Sequence, residues 1–246
     1  MRRIAENMKK LLCVALLLLI MPCMVKATTY LVSIGISDYP GTSLDLNLPV
    51  NDAQTITWVY SKNKDLRYCQ LLNENATRAN IIKAMDKVFS MAKANDVVVL
   101  YYSGHGYEGG FRVYDTNLSY NEIREAMAKT KCKNKMIFAD ACFSGQLRSN
   151  NKNSTANESA KKANVMLFLS SRNDEVSIEN SAMENGFFTT YLQKGLKGAA
   201  DKNEDRIITA KELFDYVHKN VIRISNNQQH PVMWGKFSDN MTVMKW

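Results

Sequence analysis

Two short segments hold the side chains that could do chemistry. Tyr101-Tyr102-Ser103-Gly104-His105-Gly106 sets a histidine between two glycines, and Ile137-Phe138-Ala139-Asp140-Ala141-Cys142-Phe143-Ser144-Gly145 sets a cysteine two residues after an aspartate. Each is an apolar, β-prone run that stops at a turn of small residues carrying one reactive side chain. Together a histidine and a cysteine supply a thiolate nucleophile and a proton carrier. A free thiol titrates near about 8.5, so Cys142 would need an imidazolium or a helix N-terminus to raise its thiolate fraction. His105 is the candidate for that task and for protonating a departing amine. Singly, each residue has a structural explanation: a strand-end cysteine can be a small core residue, and a histidine tolerates the backbone angles of a glycine turn. Their placement at the ends of two successive strand-like runs favours catalysis.

The elements that must position these turns are legible from periodicity. Residues 30–36, 69–72, 97–102, 136–139 and 165–170 are apolar runs of strand length, and short strands are expected around Met233 and Thr242. Apolar spacing predicts helices over residues 51–60, 77–94, 122–129, 187–194 and 210–224, with Thr77 placed to cap the second. Such alternation implies an α/β fold, a mostly parallel central sheet with helices on both faces. In these sheets functional groups gather beyond the carboxyl ends of the strands, which is where His105 and Cys142 fall.

With 246 residues and 46% hydrophobic content, the chain has room for one sizeable domain. Its first stretch differs in kind. Lys9 and Lys10 precede an almost unbroken apolar run over residues 11–25, followed by Ala27 and then polar Thr28 and Thr29. This reads as a signal peptide over residues 1–27, leaving a domain of residues 28–246 exported to the periplasm or secreted. The alternatives are a retained anchor, for which roughly 15 apolar residues are short, a lipidated Cys23, which Pro22 disfavours, and translation from Met8. Of the net charge of +8, residues 1–27 account for four (five basic residues, one acidic), so the remainder carries +4. No basic stripe interleaved with aromatics accompanies it, and no nucleic-acid partner is expected. Three cysteines survive cleavage, Cys69, Cys132 and Cys142, an odd number that leaves at least one free thiol. Cys69 and Cys132 read as buried thiols rather than a disulfide.

Two further marks stand in the chain: Asn51-Asp52-Ala53 in the first helix and Gly186-Phe187-Phe188-Thr189 at the start of a later one. With Tyr-Ser-Gly-His-Gly over residues 102–106 and Asp-Ala-Cys-Phe-Ser-Gly over residues 140–145, they resemble the motifs of the caspase-like cysteine peptidases, and within them the bacterial relatives of metacaspases. The resemblance runs from residue 30 to about residue 231. It implies the caspase-like fold, a cysteine endopeptidase acting through His105 and Cys142, and an oxyanion hole from the amides of Gly106 and Cys142. It also implies that Asp52, Ser103 and Asp140 line the S1 pocket for the substrate side chain, where acidic residues select Arg or Lys. Animal caspases cut after Asp and need a basic pocket instead. Asp52 has a second reading as a helix cap, since Asn51 and Asp52 open a predicted helix. Polar residues 146–163 read as a flexible loop. Its Arg148, Lys152, Lys161 and Lys162 offer sites for self-cleavage, or form a solvated basic linker.

No cofactor is expected, and the one candidate for calcium is an EF-hand-like run. Asp201, Asn203, Asp205, Thr209 and Glu212 occupy its first, third, fifth, ninth and twelfth places. Arg206 replaces the glycine of the sixth place, and capping of the next helix by Thr209 and Glu212 explains the same residues. The acidic calcium loop that follows the histidine in many metacaspases has little counterpart in residues 107–115. The expected partner is a peptide or protein substrate, with no stable membrane span after signal cleavage. Two alternatives stay open: a caspase-fold interaction protein with little turnover, and a peptidase with a different side-chain preference.

Overall fold

The computed structural model describes residues 27–62, 65–107, 109–141, 164–171 and 184–245. Cys142, the leader and the basic segment 146–163 lie outside the described residues. In chain order the principal elements are β1 (Thr29–Gly35), α1 (Pro49–Ser61), β2 (Leu66–Leu72), α2 (Arg78–Phe89), β3 (Val97–Ser103), β4 (Gly106–Tyr107), β5 (Gly110–Arg112), β6 (Asn117–Ser119), α3 (Tyr120–Ala128), β7 (Asn134–Asp140), β8 (Met166–Leu169), α4 (Phe187–Lys194), β9 (Ile207–Thr209), α5 (Ala210–Ile224), β10 (Val232–Gly235) and β11 (Thr242–Lys245). The central sheet has the order β10-β8-β7-β3-β1-β2, parallel throughout except for the antiparallel edge strand β10.

A parallel sheet covered on both faces must be apolar on both, and β3 shows how this is met. Val98, Leu100 and Tyr102 enter one core, with Ile81 and Met85 of α2 and Ile123 and Met127 of α3. Val97, Val99 and Tyr101 enter the other, with Ile56 of α1, Phe188 of α4 and Leu213 and Val217 of α5. Each such aliphatic side chain contributes about 1.5–3 kcal/mol by leaving water. The helices therefore lie on both faces, as the alternation predicts.

The register places Gly35, Ser103 and Asp140 side by side at the carboxyl edge. A Cβ at Gly35 would lie 2.3 Å from the Pro49 carbonyl oxygen and 2.8 Å from Ala53 Cβ. Only glycine lets α1 come down on β1 this closely, and that approach carries Asp52 to the sheet's functional edge.

Some boundaries differ from the sequence reading. The helix predicted over residues 77–94 ends at Phe89, although Thr77 does cap it by accepting from the Asn80 amide. Past it, the Asp96 carboxylate accepts from the Lys93 and Thr28 amides and folds the chain into a turn toward β3. The antiparallel sheet β4-β5-β6 and the pairing of β9 with β11 were not foreseen, because strands of two to four residues leave almost no alternating pattern. Cys69 and Cys132 are free thiols, the first half-buried and the second buried. Among the described residues no helix is long and apolar enough to cross a membrane.

The EF-hand-like run forms a tight turn followed by a helix cap. Asp201 accepts from the Asp205 and Arg206 amides, and Asp205 accepts from the Ile207 amide. Thr209 and Glu212 form a complete capping box on α5, each side chain receiving the other's backbone N–H. Thr209→Ala is therefore expected to cost about 1 kcal/mol of stability, read as a lowered urea midpoint with an unchanged m-value.

Candidate active site

Three described segments converge beyond the carboxyl ends of β3 and β7. His105 follows β3 directly, and its backbone is held from two sides. Its N–H donates to the Tyr39 hydroxyl at 3.0 Å, and its carbonyl accepts from the Arg112 amide at 2.9 Å. The Tyr102 hydroxyl stands 2.8 Å from the same carbonyl and 2.6 Å from that of Arg112, and its one proton serves one of them at a time. The half-buried His105 ring packs 5.1 Å from the Tyr39 ring, and its Nε2 lies 2.8 Å from the Leu44 carbonyl oxygen. A carbonyl can only accept, so Nε2 carries a proton there and the neutral ring keeps its lone pair on Nδ1.

Gly106 opens β4 opposite Phe111, and the bond from the Arg112 amide to the His105 carbonyl makes Gly106–Phe111 a non-hydrogen-bonded pair. In such a pair the N–H of Gly106 points away from its partner strand. That amide is thus directed outward, beside the histidine.

Cys142 is outside the described residues, but the backbone leading into it is firmly placed. Ala141 is buried, and the Ser170 hydroxyl accepts from its N–H and donates to its carbonyl, both at 3.1 Å. Ser170 is held in turn by its amide on the Ala139 carbonyl and by the Gln229 side-chain amide on its own carbonyl. Neither Ser170 nor Gln229 was among the residues singled out from the sequence. The polar pair Ser170-Ser171 directly after an apolar run was the available signal.

Asp52, Ser103 and Asp140 meet, as their motif positions imply. Asp52 lies in the first turn of α1, whose N-cap is Leu48 and whose first residue is Pro49, so it is not the cap. Its Oδ2 accepts from the Ser103 hydroxyl at 2.8 Å, and its Oδ1 accepts from Asn185 Nδ2 at 2.9 Å and the Gly186 amide at 3.0 Å. Asp140 Oδ2 accepts from the Thr189 amide and hydroxyl at 3.1 and 2.9 Å. Gly186 sits between the two acids: a Cβ there would be 2.5 Å from Asp140 Oδ2 and 3.5 Å from Asp52 Oδ2. Both acids are buried, and burial first, then the charge of Asp140, pushes the Asp52 carboxyl up to about 8. Its three hydrogen bonds oppose that shift without cancelling it.

Among the described residues no group of three or more His, Cys, Asp or Glu stands where it could hold a metal ion. The described arrangement presents the His105 imidazole and the Gly106 N–H beside a pair of buried acids. The Tyr39 hydroxyl holds the His105 backbone. Tyr39→Phe removes one buried hydrogen bond to the His105 backbone, worth about 1 kcal/mol, and is expected to lower kcat about fivefold with KM little changed, measured on a peptide substrate.

A family model described as "Caspase domain" matches residues 29–241. No curated protein sequence matches the chain. Among solved structures, protein GSU0716 from Geobacter sulfurreducens is similar at 17% identity and a TM-score of 0.66, covering 88% of this chain and 97% of that one. Caspase-1 from Spodoptera frugiperda is similar at 14% identity and a TM-score of 0.65, covering 87% of this chain and 88% of that one. These likenesses establish the shared fold.

Proposed function

The chain belongs to the caspase domain family, and from that membership we propose that it is an exported cysteine endopeptidase of the metacaspase-like branch, cleaving after Arg or Lys. The observation that carries the specificity is the pair of buried carboxylates, Asp52 and Asp140, facing each other across Gly186. A guanidinium or ammonium entering between them displaces the Asp52 proton and is held by two carboxylates in a desolvated site, while an aspartate side chain would bring a further acid to the pair.

The chemistry follows from the positions of the groups. His105 Nδ1 takes the thiol proton of Cys142, while the Leu44 carbonyl holds the Nε2 proton and steadies the imidazolium. The thiolate attacks the carbonyl carbon after the bound Arg or Lys, and the amides of Gly106 and Cys142 receive the oxyanion. Collapse expels the amine, which takes the proton from His105 and leaves a thioester. Water, deprotonated by His105, attacks the thioester and restores the thiol.

The test is labelling with peptide chloromethyl ketones ending in Arg or in Asp, read by intact mass and peptide mapping. One adduct on Cys142 from the Arg reagent, and none from the Asp reagent, is expected. Equal labelling by both would remove the specificity, and an adduct at Cys69 or Cys132 would remove the nucleophile. The same preference would act on Arg148, Lys152, Lys161 and Lys162. The purified wild type is expected to show cuts there, while Cys142→Ala stays one chain on denaturing gels.

A further inference from the structure

At the end of the sheet opposite the active site lies a cavity of about 710 Å³. It is built where the α3–β7 connection and the start of β7 meet the β10–β11 connection. Lys131, Lys133, Lys135 and Lys236 line it together with Asn164 and Phe237, and among the described residues no aspartate or glutamate does. Asp239, in the same connection, is absent from the lining and interacts instead with the Lys211 ammonium.

The four lysines have little to neutralise them. Lys131, Lys133 and Lys236 are exposed, and none forms an ion pair among the described residues. Lys135 is only 7% exposed. Its ammonium donates to the Met127 carbonyl at 3.2 Å, which leaves two of its three donors without an acceptor among the described residues. Burial of an ammonium with one neutral partner is costly, and it holds the Lys135 pKa below the usual lysine value. A site that gathers four positive charges around a concavity, one of them desolvated, is complementary to a compact polyanion. Lysines, as point charges with rotatable donors, suit clustered phosphate oxygens. Their convergence on a cavity of ligand size, rather than along a stripe with aromatics, favours a small molecule over a nucleic-acid strand.

We propose that this cavity is a binding site for a soluble small molecule carrying two or more phosphate groups. β7 runs from the cavity, which Asn134 and Lys135 line, to Asp140, roughly 17–20 Å at a strand's rise per residue. Binding there is thus independent of the peptidase reading and can be measured in Cys142→Ala protein.

The experiment is isothermal titration of residues 28–246 with inorganic tripolyphosphate and, separately, orthophosphate. Vesicles of phosphatidylcholine with phosphatidylinositol bisphosphate form a third arm. One tripolyphosphate per chain is expected, binding at least about tenfold tighter than orthophosphate and weakened at least about tenfold by Lys133→Gln/Lys236→Gln. These two lysines are exposed, so the variant keeps the fold, and Lys211→Gln elsewhere on the surface should leave the affinity unchanged. Absence of saturable binding, equal affinity for orthophosphate, or equal weakening by Lys211→Gln would overturn the proposal. Binding of the vesicles without binding of tripolyphosphate would overturn it in favour of a lipid headgroup.

Discussion

Replacing His105 with alanine is expected to lower kcat/KM for peptide cleavage by about four orders of magnitude. The backbone of His105 is fixed by Tyr39 and Arg112, and its Nε2 by the Leu44 carbonyl. In the proposed mechanism its Nδ1 is therefore the proton acceptor. The loss has two parts: less thiolate at neutral pH, and no proton for the leaving amine. They separate experimentally. The rate of Cys142 alkylation by iodoacetamide against pH reports the thiolate alone, and in His105→Ala its midpoint should move toward that of a free thiol, about 8.5. A loss of kcat/KM without any change in that profile would show that His105 acts only on the leaving group.

The second large effect is expected at Asp140. Asp140→Asn keeps an oxygen for the Thr189 amide but removes the charge, and should lower kcat/KM for Arg peptides by about two orders of magnitude. Peptides with citrulline in place of Arg separate charge from shape, because a merely structural injury would lower both substrates alike. The neighbouring acid adds a pH dependence with a definite sign. The Asp52 carboxyl is pushed up to about 8 by burial and by Asp140, from an ordinary value of 3.8. Between these values the folded chain holds a proton that the unfolded chain has released, so this group makes stability fall as pH rises through the window. Below it the group is protonated in both states and contributes no slope. A bound cation replaces that proton. Agmatine binding to Cys142→Ala protein should therefore release protons near pH 7, seen as buffer-dependent heats, and tighten toward pH 8. Asp52→Asn should abolish both the proton release and the tightening.

The central sheet was legible because β3 and β7 are buried on both faces and read as unbroken apolar runs. The histidine turn was legible because glycines flank His105 where β3 ends, while the cysteine turn lies outside the described residues. Helices α4 and α5 were legible to the residue, since Gly186 and Thr209 mark their starts. The groups that complete the site were less visible. The partner of His105 is a backbone carbonyl, which Leu44 supplies without any side-chain signature, and Tyr39 sits in a Tyr-Pro turn that looks like any surface loop. Asp52 was ambiguous because a carboxylate in a first helical turn serves equally as a cap. What decides is the close approach of α1 to Gly35, which aims Asp52 at Ser103, Asn185 and Gly186 instead. Asn185 and Ser170 hold the pocket and the approach to Cys142 from distant parts of the chain, and no local pattern records such pairings.

Hydrolysis of fluorogenic peptides ending in Arg, Lys or Asp by residues 28–246, beside Cys142→Ala, decides whether the chain is a cysteine peptidase with a preference for basic side chains. Turnover of the Arg and Lys peptides, absent for the Asp peptide and lost in Cys142→Ala, is the expected result. Cleavage after Asp, or turnover that survives Cys142→Ala, would contradict it, and no turnover on any peptide would favour a caspase-fold protein that binds without cutting.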